Sequence, residues 1–343
     1  MTARRTLRLV GLLVALGAAI ALPYVLSNYY VTLVSLILAS ALLAASINML
    51  AGDSGLMSLG HAGIAAAAGY GLAWASRQGF DLPLQLAIAG GLTLLTSVLY
   101  GLISMRTRGV FFLMVTLAAG MVCFGMAYRW SSVTGGDNGL TGIRRPALVG
   151  EYWQFYFLVL IVFVLLTLAL VRVSRSPFGL AMRGIRDSDS RMRSLGYNVP
   201  AYKFVAVVLS GIVAGVAGVL LVWQTEFISP SFAGFNASAL ALVMVVLGGI
   251  GTTMGPLVGA AIVVLIQQVL STYVDRWPTV LGLIFIVVVL FARAGIAGSA
   301  AKLIASLRRG RSPSPPPDHG ADADTGVDAK TPTAPSDRKG TSA

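Results

Sequence analysis

From Leu9 through Gly52 the chain contains no Lys, Arg, Asp or Glu. At 1.5 Å per residue a single helix of that length would be about 66 Å long, roughly twice the hydrocarbon thickness of a bilayer. The run therefore holds two membrane-crossing helices, near 9–27 and 30–51, with the break around Pro23 and Asn28. Phe227 through Val274 repeats the pattern, and its glycine-rich centre, Gly248-Gly-Ile-Gly-Thr-Thr-Met-Gly-Pro256, supplies the second break. Single crossings near 61–76, 84–103, 109–129, 152–171, 203–223 and 278–293 bring the expected total to about ten, with a re-entrant segment as the alternative for the short, Ala- and Gly-rich 61–76. With 56% hydrophobic and 11% charged residues and a mean hydropathy of +0.82, a water-soluble globule is excluded. The expected fold class is all-α, a polytopic membrane protein. Arg4, Arg5 and Arg8 ahead of an apolar stretch have the form of a secretory leader, but a second long apolar run follows at once, so an uncleaved first helix is expected.

Charge fixes the expected orientation. With the N-terminus inside, the inside connections and the segment after the last helix carry seventeen Lys and Arg residues, from Arg4 to Arg311, whereas outside connections hold only Arg77, Arg129, Arg144, Arg145 and Arg276. This asymmetry places both termini in the cytoplasm. The net charge of +12 is then read as basic loops at a membrane face, and no nucleic-acid partner is expected. Three regions follow: an N-terminal segment with the first helix (1–29), a membrane core (30–298) and a cytoplasmic tail (299–343). From about residue 312 the tail is rich in Pro, Ser, Asp, Gly and Thr and is expected to be disordered. One cysteine, Cys123, excludes an intrachain disulfide and a multi-cysteine metal site; no HExxH pattern occurs, and neither metal nor cofactor is expected.

Polar residues inside apolar helices are the first functional candidates. An ionised Asp at membrane depth costs about 2.5 kcal/mol or more, so Asp53 must face protein or water. Together with Asn48, Ser54, Ser58 and His61 it reads either as a broken-helix element lining a translocation path or as a short cytoplasmic hairpin. Asn236 and Gln267 are further polar candidates for such a path. Gly52-Asp-Ser-Gly55 has the form of a hydrolase nucleophile turn with His61 as base. The motif is short, the only other histidine is His319 in the tail, and nothing marks an oxyanion hole, so no catalytic residue is expected.

The second candidate is the long inside connection from Arg172 to Lys203. Pro177 marks a helix start, Phe178, Met182 and Ile185 share one face, and Gly196 is a stop signal. Such an apolar stripe in a basic loop is read as docking into a partner's groove, with a membrane-surface helix as the alternative. Gly211-x-x-x-Gly215, Gly251-x-x-x-Gly255 and Gly255-x-x-x-Gly259 are read as generic close-packing sites. No P-loop is present, so ATP-driven work would require an ATPase on another polypeptide.

Five motifs in order carry a resemblance: Ser54-Gly-Leu-Met-Ser-Leu-Gly-His-Ala-Gly63, Thr116-Leu-Ala-Ala-Gly120, Thr134-Gly-Gly-Asp-Asn-Gly139, Ser176-Pro-Phe-Gly179 with Ala181-Met-Arg-Gly-Ile-Arg186, and Val246 to Pro256. Over about 30–298 the chain resembles LivM-type permeases, inner-membrane subunits of ABC importers for branched-chain amino acids, with urea and amide importers as relatives. The resemblance implies a second, LivH-like permease, two cytoplasmic ATPase subunits and a periplasmic substrate-binding protein as partners in the bilayer. It implies that Ser176 to Gly196 is the ATPase-coupling loop, with Phe178, Met182, Ile185, Arg186, Asp189 and Gly196 as its functional residues. Where the family usually has a Glu and an Ala-Ala pair, Asp189 and Arg191-Met192 stand here. It also implies an inverted repeat of helices two to five and seven to ten. The implied cargo is a branched-chain amino acid, with urea or a short amide second; a secondary transporter or channel is the reading from another class.

Overall fold

Charges and helix breakers divide the chain into its helices. The computed structural model describes residue 17 and residues 19–146, 149–273, 276–291 and 295–299. Residues 9–16 and 18 of the crossing expected at 9–27, Arg293 and the tail from residue 300 lie outside the described residues. After Pro23 and Ser27, α1 runs Asn28–Met49 and continues as a π-helical turn, Leu50–Ser54, that ends at Gly55 with φ +67°. Four helices follow: α2 (His61–Arg77), α3 (Leu82–Ser104, with Pro83 in its first turn), α4 (Gly109–Arg129) and α5 (Tyr152–Arg175). Glu151 and Gln154 form a reciprocal cap at the start of α5.

The basic connection folds as two short helices, α6 (Pro177–Asp187) and α7 (Asp189–Ser194), each capped at its start by a serine, Ser176 and Ser188. Beyond them lie α8 (Val199–Thr225), α9 (Phe235–Gly248), α10 (Gly255–Leu265, extended by a π turn Ile266–Leu270) and α11 (Trp277–Phe291). Among the described residues, five helices, the first counted with its π extension, are long and apolar enough to cross a membrane: Asn28–Ser54, Leu82–Ser104, Gly109–Arg129, Tyr152–Arg175 and Val199–Thr225.

The run from Phe227 departs from expectation. It holds α9 and α10 on either side of its glycine-rich centre, but its first residues are not helical: Phe227–Ile228 is a strand paired antiparallel to Leu140–Thr141, with Leu140 opposite Ile228, and Pro230–Ala233 is a 3-10 turn. The cause is turn chemistry that a count of charges ignores. Glu226 takes a left-handed φ of 53°, Pro230 removes a donor and Gly234 precedes the helix start. This leaves α9 with 14 residues, about 21 Å of rise against a hydrocarbon layer of about 30 Å.

The helices sort by burial. In α1 and α8 the most apolar stretches are 78% and 72% buried inside the chain, against 28%, 22% and 11% for α3, α4 and α5. So α1 and α8 form the centre, with α2 beside them, and α3, α4 and α5 leave most of their surface to lipid or partners. Small residues permit this: Gly211 and Gly215 of α8 face Ser97 and Thr93 of α3, and Gly218 faces the backbone of Ala65 in α2. Gly259 of α10 likewise lies against the Met244 carbonyl of α9.

At the end of the bundle remote from α6, Arg145 closes the C-terminus of α8. Its Nε donates to the Trp223 carbonyl at 2.8 Å and its Nη2 to that of Gln224 at 3.2 Å, while the guanidinium lies 4.6 Å from the Phe155 ring centroid.

Candidate functional site

The polar candidates from α1 gather where that helix breaks. Because the π turn ends at Ser54, its last carbonyls have no in-helix donors. Arg186 Nη1 donates to the Gly52 carbonyl at 2.5 Å. Asp53 Oδ1 accepts from Arg183 Nη1 at 2.8 Å and from Ser174 Oγ at 2.9 Å. One turn back, Asn48 Nδ2 donates to the Thr252 carbonyl at 3.0 Å and its Oδ1 accepts from the Gly251 amide at 2.7 Å. Gly52 itself abuts Gly251: a Cβ on Gly52 would lie 2.6 Å from the Gly251 Cα. The break after α1 and the break after α9 are thus one junction, and a polar cavity of about 100 Å³ lies there, bordered by Asn48, Asp53, Thr167, Ser174 and Thr252.

His61 belongs to a separate buried chain of hydroxyls. Its Nδ1 lies 2.8 Å from Ser58 Oγ, its Nε2 contacts Ser210 Oγ, and Ser210 Oγ donates to the Ser46 carbonyl at 2.8 Å. Since the single Ser210 proton is committed to Ser46, Nε2–H is the donor to Ser210 and Nδ1 accepts from Ser58. This arrangement ties α1, α2 and α8 together. Ser54 Oγ instead donates to the Leu50 carbonyl at 2.6 Å, so the Gly52–Gly55 turn and His61 do not form a nucleophile and base. Asn236 is exposed near the start of α9 and Gln267 is half-buried in the π turn after α10. Among the described residues no hydrogen bond joins either of them to Asn48, Asp53, Ser54, Ser58 or His61.

The connection from Arg172 to Lys203 differs from expectation in what covers its apolar stripe. Met182 and Ile185 are 1% and 4% exposed, buried by this chain's own residues, and Phe178 stacks on Tyr202 of α8 with ring centroids 5.6 Å apart. Met49, Asp53, Ser54 and Ala206 lie beside Met182. An amphipathic period shows that one face is buried but not by which surface, and here the inner end of α1 and α8 supplies it. Leu180, Leu195 and Tyr197 are exposed apolar residues of this connection, and Arg172, Arg175, Arg186, Asp187, Arg191 and Arg193 are its exposed charges. Gly196, at φ +86°, ends α7 as a stop.

Asp189 binds three cations: Arg108 at 2.8 Å, Arg193 at 3.0 Å and Lys203 at 3.1 Å. The Lys203 side chain is only 4% exposed. Burial alone would raise the Asp189 carboxyl, but hydrogen bonds from Arg193 and Lys203 and the charges of Lys203 and Arg108 hold it below the usual carboxylate value. Sequence reasoning missed Arg183, Ser174, Arg108 and Lys203 as partners. The one signal available was an Asp inside an apolar run, which requires a cation somewhere and does not say where. Among the described residues no group of His, Cys, Asp and Glu side chains is placed to hold a metal ion.

Comparison with known proteins adds identity to this geometry. The LivM permeases of the high-affinity branched-chain amino acid transport systems of Escherichia coli and Salmonella typhimurium are each 28% identical to the chain over 323 residues, covering 86% of it and 75% of the relative. LsrC, the autoinducer 2 import system permease of Klebsiella pneumoniae, is 29% identical over 151 residues, 42% of either chain. The family model described as branched-chain amino acid transport system, permease component, matches residues 10–293. The chain therefore belongs to the family of permease components of branched-chain amino acid transport systems.

Proposed function

We propose that this chain and a LivH-like second permease form the path by which an ABC importer passes branched-chain amino acids across the inner membrane. The importer's cytoplasmic ATPase subunits drive the step and its periplasmic binding protein delivers the cargo. The observation that carries this reading is the family match along 10–293, with relatives named for that cargo over most of the chain. The chemistry of the candidate path supports it. Asn48, Ser54, Ser58, Asn236 and Gln267 offer neutral dipoles, His61 is held between two serine hydroxyls, and the one acid among the candidates, Asp53, is neutralised by Arg183. Sparse dipoles without free charge suit a net-neutral zwitterion that must enter and leave easily. Deleting the gene should abolish high-affinity uptake of labelled leucine, isoleucine and valine. Unchanged uptake of all three, with loss of urea uptake, would reject this cargo in favour of the urea and amide importers.

The same reading has ten crossings, an inverted repeat of helices two to five and seven to ten, and both termini in the cytoplasm. Residues 1–29 carry the first crossing, 30–298 the permease core and 299–343 the tail. It puts α6 and α7 at the cytoplasmic face, where their exposed side, with Leu180, Asp187, Leu195 and Tyr197, meets the ATPase. In a Cys123→Ala background, a cysteine replacing exposed Asn138 should react with an impermeant thiol reagent added outside, and one replacing exposed Ser190 should not. The opposite pattern would invert the topology.

A further inference from the structure

We infer that Arg183 and Arg186 are positioning residues that tie the ATPase-docking helix α6 to the Gly52–Gly251 junction, so that a displacement of α6 reaches both chain breaks directly. The inference rests on the reading of the 172–203 connection as the ATPase-coupling loop. Arg183 and Arg186 are three apart on one helix and so project to the same side, with Met182 and Ile185 buried next to them. One guanidinium holds the Asp53 carboxylate and the other an otherwise orphaned carbonyl of the π turn, at 2.8 and 2.5 Å. The Arg186 stem also lies over Gly55, where a Cβ would come within 2.7 Å of its Cγ. Charge-assisted bonds of this kind are the stronger class of hydrogen bond.

Beyond the π turn the connection continues without a gap. Gly52 meets Gly251 through backbone alone, and Asn48 grips the Gly251 amide and the Thr252 carbonyl. A push on α6 therefore has a stiff route to the loop between α9 and α10, which begins about 200 residues further along the chain and belongs to the other half of the expected repeat. A π turn is a frequent functional irregularity within helices, and here it is the element that both arginines hold. Arginines that served only to staple the loop would lower stability without changing how much cargo moves per ATP.

The test uses the complete importer with its binding protein, reconstituted in proteoliposomes, with uptake and ATP hydrolysis measured together. Arg183→Gln and Arg186→Gln are expected to lower uptake per ATP hydrolysed about tenfold, the range of a moderate coupling free energy. The exchange of charges, Asp53→Arg with Arg183→Asp, should recover part of the ratio that Arg183→Asp alone loses. If the ratio stays at the wild-type value in both glutamine variants, the inference is overturned, even where the amount of assembled importer falls. Cross-linking separates this from failure of the coupling-loop reading. A Leu180→Cys protein that cross-links to an ATPase subunit while the ratio is unchanged removes the relay alone; one that cross-links to neither ATPase subunit removes the docking reading and the relay with it.

Discussion

Gly218→Ala is expected to destabilise the purified protein by about 3 kcal/mol, through overpacking at the tightest crossing of the central helices. A Cβ there would meet the Ala65 backbone of α2, with its carbonyl carbon and Cα at 2.7 and 2.8 Å, and backbone cannot rotate aside as a side chain can. The contrasting substitution is Gly90→Ala in α3, where nothing lies within 4 Å of the new methyl group. Alanine is the better helix former by about 1 kcal/mol, so this variant should be neutral or slightly more stable. Heating both in one detergent and following the monodisperse fraction by size-exclusion chromatography compares them. Equal midpoints would mean that α8 and α2 do not cross at Gly218.

Asp189→Ala is expected to cost about as much, because it leaves Lys203 charged in a buried setting; removing one partner of a buried pair costs about 3–5 kcal/mol. Replacing both, Asp189→Leu with Lys203→Met, should return much of the loss, since no buried charge is then left unpaired and Arg108 and Arg193 are half exposed to solvent. The dependence on pH has a definite sign. The folded-state carboxyl titrates below its ordinary value, so its contribution is complete above the usual carboxylate range and is lost as pH falls through that lower value. Thermal midpoints of wild type and Asp189→Ala should therefore differ most near neutrality and converge in acid. A gap that is constant down to the lowest pH at which the protein stays monodisperse would remove Asp189 as the source.

The helix positions were legible because charge-free runs and their breakers are local signals. The spans read near 109–129 and 152–171, for example, appear as Gly109–Arg129 and Tyr152–Arg175. The short α9 was not legible from charge alone, since Glu226, Pro230 and Gly234 redirect the backbone through dihedral preferences rather than hydropathy. Asp53 stood out in the sequence as an acid in an apolar setting, but its partner Arg183 lies 130 residues away and only the packing of α6 brings it near. The stripe of Phe178, Met182 and Ile185 was correctly read as apolar on one side, yet the surface that covers it belongs to the same chain. Periodicity records that a face is hidden, and the identity of the covering surface is a tertiary fact.

The division of tasks among the residues of α6 has an evolutionary consequence. Met182 and Ile185 are buried and Arg183 and Arg186 reach from its surface to the chain's own π turn, whereas Leu180 and Asp187 are exposed, with Asp187 3.6 Å from Arg186. Because the internal bonds and the exposed positions use different residues of an 11-residue helix, substitutions at Leu180 can accumulate while the contacts of Arg183 and Arg186 are kept. On the proposed reading of this connection, a lineage that exchanges one ATPase for another would need to change the exposed residues alone. The residues bound to the π turn are free to remain unchanged through every such exchange.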